Sequence, residues 1–235
     1  MHEGSGLAGS GSAAPRGFTY AYHTAKFVIA SRIRHFDVPA TPYFDAASSE
    51  FFAEKLRTTR NYLEYGSGGS TLLAHKSVQN LVSVESDGHF LAAVQRRLAQ
   101  DGSRAVTKLI HAKIGLTQEW GMPVFRKPTQ RRVQRWENYS KAPWKYYRAQ
   151  GLEPDLILVD GRFRVACVLE SFANLSPGSR CLVLFDDYAS RPHYRAVEPF
   201  AELQLVGRMA VLRPKADLDR VRCRQMAREY CADPR

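Results

Sequence analysis

The sequence predicts an α/β fold, a Rossmann-like three-layer sandwich around one mostly parallel, seven-stranded sheet. Three observations carry this prediction. From residue 45 onward, short apolar runs alternate with segments of helical period, and such alternation implies parallel pairing. Two runs, "PDLILVDG" (154–161) and "RCLVLFDDY" (180–188), are nearly all apolar up to their terminal acids, as in strands buried on both faces. The last two runs, 203–208 and 209–214, have only Gly207 at their junction. They read as a C-terminal hairpin, which puts an antiparallel strand into the sheet.

The elements follow in order. Residues 45–59 suit a helix, with Phe51, Phe52 and Leu56 on one face and Asp45 or Ser48 as N-cap. "NYLEY" (61–65) reads as a strand, 70–78 as a helix and "NLVSVES" (80–86) as a strand. A helix over 88–100 carries Phe90, Val94 and Leu98 at four-residue spacing, and 106–114 reads as a strand. After 154–161, a helix over 164–175 is stopped by Pro177 and Gly178, and 193–201 reads as a short helix beyond 180–188. Residues 216–235 are charged and compatible with a helix.

The segment 115–153 breaks the pattern. It holds Trp120, Trp136 and Trp144, the chain's three tryptophans, and between 126 and 148 eight Lys or Arg face one acid, Glu137. It reads as a basic, aromatic insertion, a candidate acceptor lid or a surface subdomain with its own small aromatic core. Residues 1–16 read as a flexible Gly/Ser/Ala-rich tail, 18–35 as a surface helix, and 17–235 as a single domain. The net charge of +11 favours anionic partners. Cys167, Cys181, Cys223 and Cys231 form no C-x-x-C pair, so we expect reduced thiols and a cytoplasmic setting rather than a zinc site. No run reaches the roughly 18 apolar residues of a membrane span.

The turn "YLEYGSGGST" (62–71) carries the ligand signal. No Lys-Ser/Thr follows its glycines, which argues against a phosphate-binding P-loop. Thr71 stands where a dinucleotide turn needs its third glycine. The pattern E-x-G-x-G-G suits S-adenosylmethionine better, because Gly66 and Gly68 let the backbone pass close to a ligand. Glu85 ends the next strand, 21 residues after Glu64, where a carboxylate can accept both ribose hydroxyls. The predicted cofactor-binding set is Glu64, Tyr65, Gly66, Ser67, Gly68, Gly69, Ser70, Glu85, Ser86 and Asp160.

With "LEYGSGGST", "VSVES", "PDLILVDGRF" and "LQLVGRMAVLRP" in this order, the chain resembles the class I S-adenosylmethionine-dependent methyltransferases over residues 45–214. The resemblance implies a seven-stranded sheet whose last two strands form the hairpin. It departs after the third strand. There "HAKIG" replaces the acid that often meets the adenine, leaving a backbone group or Gln118 for that contact.

Asp160, Asp186 and Asp187 end neighbouring strands at the carboxyl edge, where such sheets bind ligands. This is similar to the catechol-type O-methyltransferases, which implies a possible Mg²⁺ site at these three residues. Those enzymes place Asp-Asn where this chain has Asp-Asp, and a lysine near the position of Arg162 and Arg164. Asp160 and Asp187 are the candidate catalytic residues. Arg162, Trp136 and Trp144 are the candidate acceptor contacts, with Arg162 suited to an acidic acceptor. The expected function is methyl transfer to a small or glycosidic acceptor, at oxygen. Two alternatives stay open: an RNA or DNA methyltransferase using the basic segment, and a non-catalytic protein binding a nucleotide or partner.

Overall fold

The computed structural model describes residues 36–102 and 105–235; the expected tail at 1–16 and the whole of the expected helix at 18–35 lie outside them. Five strands come first: β1 (Asn61–Tyr65), β2 (Asn80–Glu85), β3 (Val106–His111), β4 (Leu156–Val159) and β5 (Leu182–Phe185). Strands β6 (Ala201–Val206) and β7 (Met209–Pro214) complete one sheet in the order β3-β2-β1-β4-β5-β7-β6. The first five pair in parallel, and β7 runs antiparallel to both β5 and β6.

Period-two alternation divides the central strands between two cores. Leu63, Tyr65, Val82, Val84, Ile157 and Val159 face one side. There they meet α4 (Gln130–Gln150), α5 (Arg164–Asn174) and α6 (Arg220–Tyr230). Tyr62, Leu81, Leu156, Leu158 and Leu184 face the other, where α1 (Ala46–Leu56) and α2 (Gly69–His75) supply Phe52, Leu56 and Ala74. A smaller cluster under α3 (Gly88–Gln100) uses Val94 and Leu98. Acids fix the helix starts: Asp45, Asp87 and Asp219 accept backbone amides at the heads of α1, α3 and α6.

The segment read as an insertion contains a 21-residue helix, α4, in the crossover that parallel strands β3 and β4 require. Its inner stripe is Trp136, Tyr139, Ser140, Pro143, Trp144 and Tyr147, all within 3% exposure for the four aromatics. Their polar ends are satisfied in the core. Trp136 Nε1 donates to the Ile114 carbonyl at 3.1 Å, Trp144 Nε1 to the Tyr65 hydroxyl at 2.9 Å, and the Tyr147 hydroxyl to the Tyr62 carbonyl at 3.1 Å. This corrects the expectation for Trp136 and Trp144. Their rings are core, and neither presents a face to an acceptor. Gly151, at φ +64°, ends the helix.

The C-terminal segment is also structural. Cys223 and Ala227 of α6 are buried against α5, and the carbonyls of Pro234 and Arg235 accept the amides of Phe163 and Arg164. All four cysteines are free and buried. No helix among the described residues is long and apolar enough to cross a membrane.

Replacing Trp136 with alanine should lower the unfolding free energy by about 3–5 kcal/mol in a denaturant titration. Unchanged stability would contradict the core assignment.

Candidate functional site

The turn after β1 is built by close approach. Gly66 has φ +102°, and a Cβ there would lie 2.8 Å from Gly161 Cα and 2.9 Å from the Asp160 carbonyl carbon. The loops after β1 and β4 therefore touch backbone to backbone, which places Asp160 beside the turn. Gly161 is equally constrained, because a Cβ on it would collide with the Tyr139 hydroxyl. At Gly69 a Cβ would collide with the Thr41 carbonyl, so the chain at 41–42 lies across the start of α2. Gly68 differs: a Cβ there would meet nothing within 4 Å. One face of the turn is closed by protein, and the other is open at bare backbone.

Glu64 holds this turn from below. It is fully buried. Its Oε2 accepts from the Tyr62 and Ser70 hydroxyls at 3.0 and 2.8 Å, and its Oε1 accepts from the Thr71 hydroxyl. Thr71 Oγ1 accepts the Gly68 amide at 2.8 Å. Burial pushes the Glu64 carboxyl up to about 7, against the pull of these hydroxyls. Glu64, Ser70 and Tyr65 were expected to contact the cofactor, and the structure gives their side chains other work. Glu64 and Ser70 are consumed in shaping the turn. Tyr65 points into the core, its hydroxyl donating to the Ser140 carbonyl at 2.9 Å.

Glu85 is brought to the same turn. Its Oε2 accepts the Ser67 amide at 3.2 Å, and its Oε1 accepts the amides of Ser86 and Asp87 at 2.6 and 2.9 Å. Burial raises its pKa, opposed by these donors. A residue that sequence reasoning missed lies above it. Gly121, at φ +67°, follows Trp120 in a short 3-10 turn and receives the Ser86 hydroxyl on its carbonyl at 3.0 Å. A Cβ on Gly121 would collide with Ser86 Oγ and reach within 3.1 Å of Glu85 Oε1. His111 occupies the region of the departed adenine acid, its Nε2 at 3.2 Å from the Ser86 carbonyl.

The three aspartates do assemble at the ends of β4 and β5, in company that the sequence reading did not include. Arg164, almost fully buried, bonds Asp160 at 2.9 Å and Asp187 at 3.3 Å. Arg208, from the β6–β7 turn, grips both oxygens of Asp186 at 3.0 and 2.7 Å. Arg191 adds a 2.8 Å contact to Asp187. A hard divalent cation needs carboxylates free to donate their oxygens, and these are committed to guanidinium groups. Among the described residues no group of His, Cys, Asp or Glu is arranged to hold a metal. The Mg²⁺ expectation is corrected accordingly.

Asp160 stands apart within this cluster. Its side chain is 31% exposed, while Asp186 is 1% exposed. Desolvation pushes its pKa up to about 7; Arg164 opposes the rise, and Asp186 and Asp187 add to it. Asp187 sits at φ +60°, and Phe163, in the loop after β4, at φ +53°. Arg162 Nε is buried with no hydrogen-bond partner among the described residues.

Two outcomes follow for the turn. Gly66→Ala should lose roughly 2–5 kcal/mol of stability, from left-handed strain plus collision with backbone that cannot yield. Glu64 titrates near 7 folded against 4.5 as a model group. The folded state therefore holds its proton more tightly, and the stabilisation present below about pH 4.5 is lost as pH rises through about 7. Glu64→Gln should flatten that decline, which is on the order of 3 kcal/mol, in melting curves between pH 5 and 8. A parallel decline in the variant would assign the effect to other groups.

Neither a family model nor a curated protein matches the chain. Solved structures do. A methyltransferase-like protein from Silicibacter pomeroyi is 28% identical with a TM-score of 0.71, over 83% of this chain and 100% of that one. An O-methyltransferase from Bacillus cereus in complex with SAH is 14% identical with a TM-score of 0.48, over 83% of this chain and 100% of that one. A SAH-bound methyltransferase from Podospora anserina is 17% identical with a TM-score of 0.45, over 91% and 100%. Those two are too distant to bear on the site. With its sheet order, its glycine turn joined to Glu85 and its likeness to the first of these structures, the chain is a class I S-adenosylmethionine-dependent methyltransferase-like protein.

Proposed function

We propose that the chain methylates an oxygen of a small or glycosidic acceptor, with Asp160 taking the proton. One observation carries this reading. Asp160, partly exposed and pushed up to about 7 by desolvation, lies on the loop whose backbone packs against the glycine turn. S-adenosylmethionine, when bound, supplies a methyl group already activated on a sulfonium. The residues present fit it: the open backbone at Gly68, flanked by Gly66, Ser67 and Gly69, and the Glu85 carboxylate for the ribose hydroxyls, with Ser86 beside it. The chain then has two tasks, alignment and removal of the hydroxyl proton. Asp160 suits the second because a base poised near 7 is half ionised at neutral pH and still basic enough to accept. Its four unpaired, buried cysteines fit a reducing, cytoplasmic setting.

Calorimetry should show S-adenosylmethionine binding that weakens at least tenfold in Glu85→Ala. No heat at millimolar ligand would sink the cofactor reading. Methyl transfer from a labelled donor to a panel of phenolic and sugar hydroxyls should give kcat/KM low below pH 7 and level above it, because the ionised form of Asp160 is the base. Asp160→Asn should lower the rate roughly 10²–10⁴-fold and abolish that rise. A pH profile that survives in the variant assigns the base elsewhere.

A further inference from the structure

Among the described residues, three buried side-chain polar atoms have no hydrogen-bond partner: Arg162 Nε, His193 Nε2 and Tyr194 OH. Leaving such a group unmatched is costly, and folded proteins hold few of them. These three do not scatter. Arg162 lies two residues past Asp160, after β4. His193 and Tyr194 lie in the 3-10 segment Pro192–Phe200, after β5. Both loops border the candidate catalytic carboxylate.

The surroundings are rigid and cationic. The Tyr194 ring stacks on Phe185 at 4.4 Å, His193 packs on its edge at 4.4 Å, and the Arg191 guanidinium lies over it at 5.7 Å. Arg162 and Tyr194 are close enough that each perturbs the other's titration. The nearby carboxylates are engaged by Arg164, Arg191 and Arg208, whereas Arg162 makes no ion pair within 4 Å among the described residues. Each loop also carries a left-handed residue that is not glycine, Phe163 and Asp187. Strain of this kind concentrates where a site fixes geometry.

A guanidinium N–H, a phenol O–H and an imidazole nitrogen, gathered where the acids are already paired, suit an oxyanion. We propose that Arg162, Tyr194 and His193 form an anchoring subsite for a carboxylate or phosphate group carried by the methyl acceptor, with Arg162 as the charge partner. The assignment to an acceptor rests on the methyl-transfer reading; the presence of an oxyanion site does not.

The test uses the full chain saturated with S-adenosylhomocysteine, titrated in separate arms with inorganic phosphate and with acetate at constant ionic strength. Saturable binding should appear in at least one arm, and the arm tells which group is taken. Affinity should fall tenfold or more in Arg162→Ala and several-fold in Tyr194→Phe, with S-adenosylhomocysteine affinity unchanged. Should Arg162→Ala not fold, Arg162→Lys keeps the charge and loses the Nε donor, and it should weaken binding as well. Equal binding in Arg162→Lys and Tyr194→Phe places the anion elsewhere and overturns the subsite. S-adenosylhomocysteine binding with no anion binding overturns the subsite alone. Anion binding without S-adenosylhomocysteine binding overturns the methyl-transfer reading alone.

Discussion

A carboxylate buried beneath a glycine turn sets the geometry at the carboxyl edge of this sheet. Among the described residues no cation pairs with Glu64; three hydroxyls, from Tyr62, Ser70 and Thr71, offset its desolvation. An ion buried this deeply without such donors would be severely destabilising. With them, Thr71 is oriented to receive the Gly68 amide, and the turn has one conformation. Everything above inherits that position. Ser67 delivers its amide to Glu85, and Gly66 brings the loop of Asp160 into contact. Glu85 and Asp160 are thus placed relative to each other by backbone packing between two glycines. Side chains with rotamer freedom would place them less sharply.

A second layer of charge locks the neighbouring strand ends. Arg164 donates to the Gly161 and Asp186 carbonyls at 2.9 and 3.1 Å as well as to two aspartates. Arg208 ties the hairpin to Asp186 and donates its own amide to Asp45, the cap of α1. The consequence is asymmetric. Asp186 is buried and doubly bonded by one guanidinium. Asp160 shares one arginine, remains partly open and feels two other negative charges. Different environments separate otherwise similar carboxylates into structural and reactive roles.

The strands were legible because apolar runs ending in acids leave few alternatives, and the observed boundaries fall within a few residues of those expected. The helix α4 was not. Pro143 and six basic residues obscure a stripe whose spacing, 136, 139, 140, 143, 144 and 147, is helical throughout. The signal was present, but charge and proline masked it. Glu64 was legible as special and misjudged in direction. Within a strand it shares a face with Tyr62, the face covered by α1 and α2, and that alternation already turns it away from the open side of the turn. The arginines at the aspartates escaped for another reason. Arg208 lies 22 residues from Asp186, in a hairpin turn whose local sequence gives no reason to expect an ion pair.

The helix α4 also changes what the chain's positive charge can mean. Its aromatic stripe faces inward, and Arg131 and Arg135 face outward with Phe125 and Thr129 around a surface hollow of about 360 Å³. A single-stranded nucleic acid needs basic residues and exposed aromatic faces together, because stacking supplies much of the affinity. Here Trp136 and Trp144 are removed from that role by burial, and Trp120 and Phe125 are the exposed aromatics of the segment. The basic residues around them also act at range, through the field they set up. Such a field favours small anions, and among the described residues Arg162 stands without an ion pair. The basic surface and the unmatched donors therefore favour the same kind of small anion by independent routes.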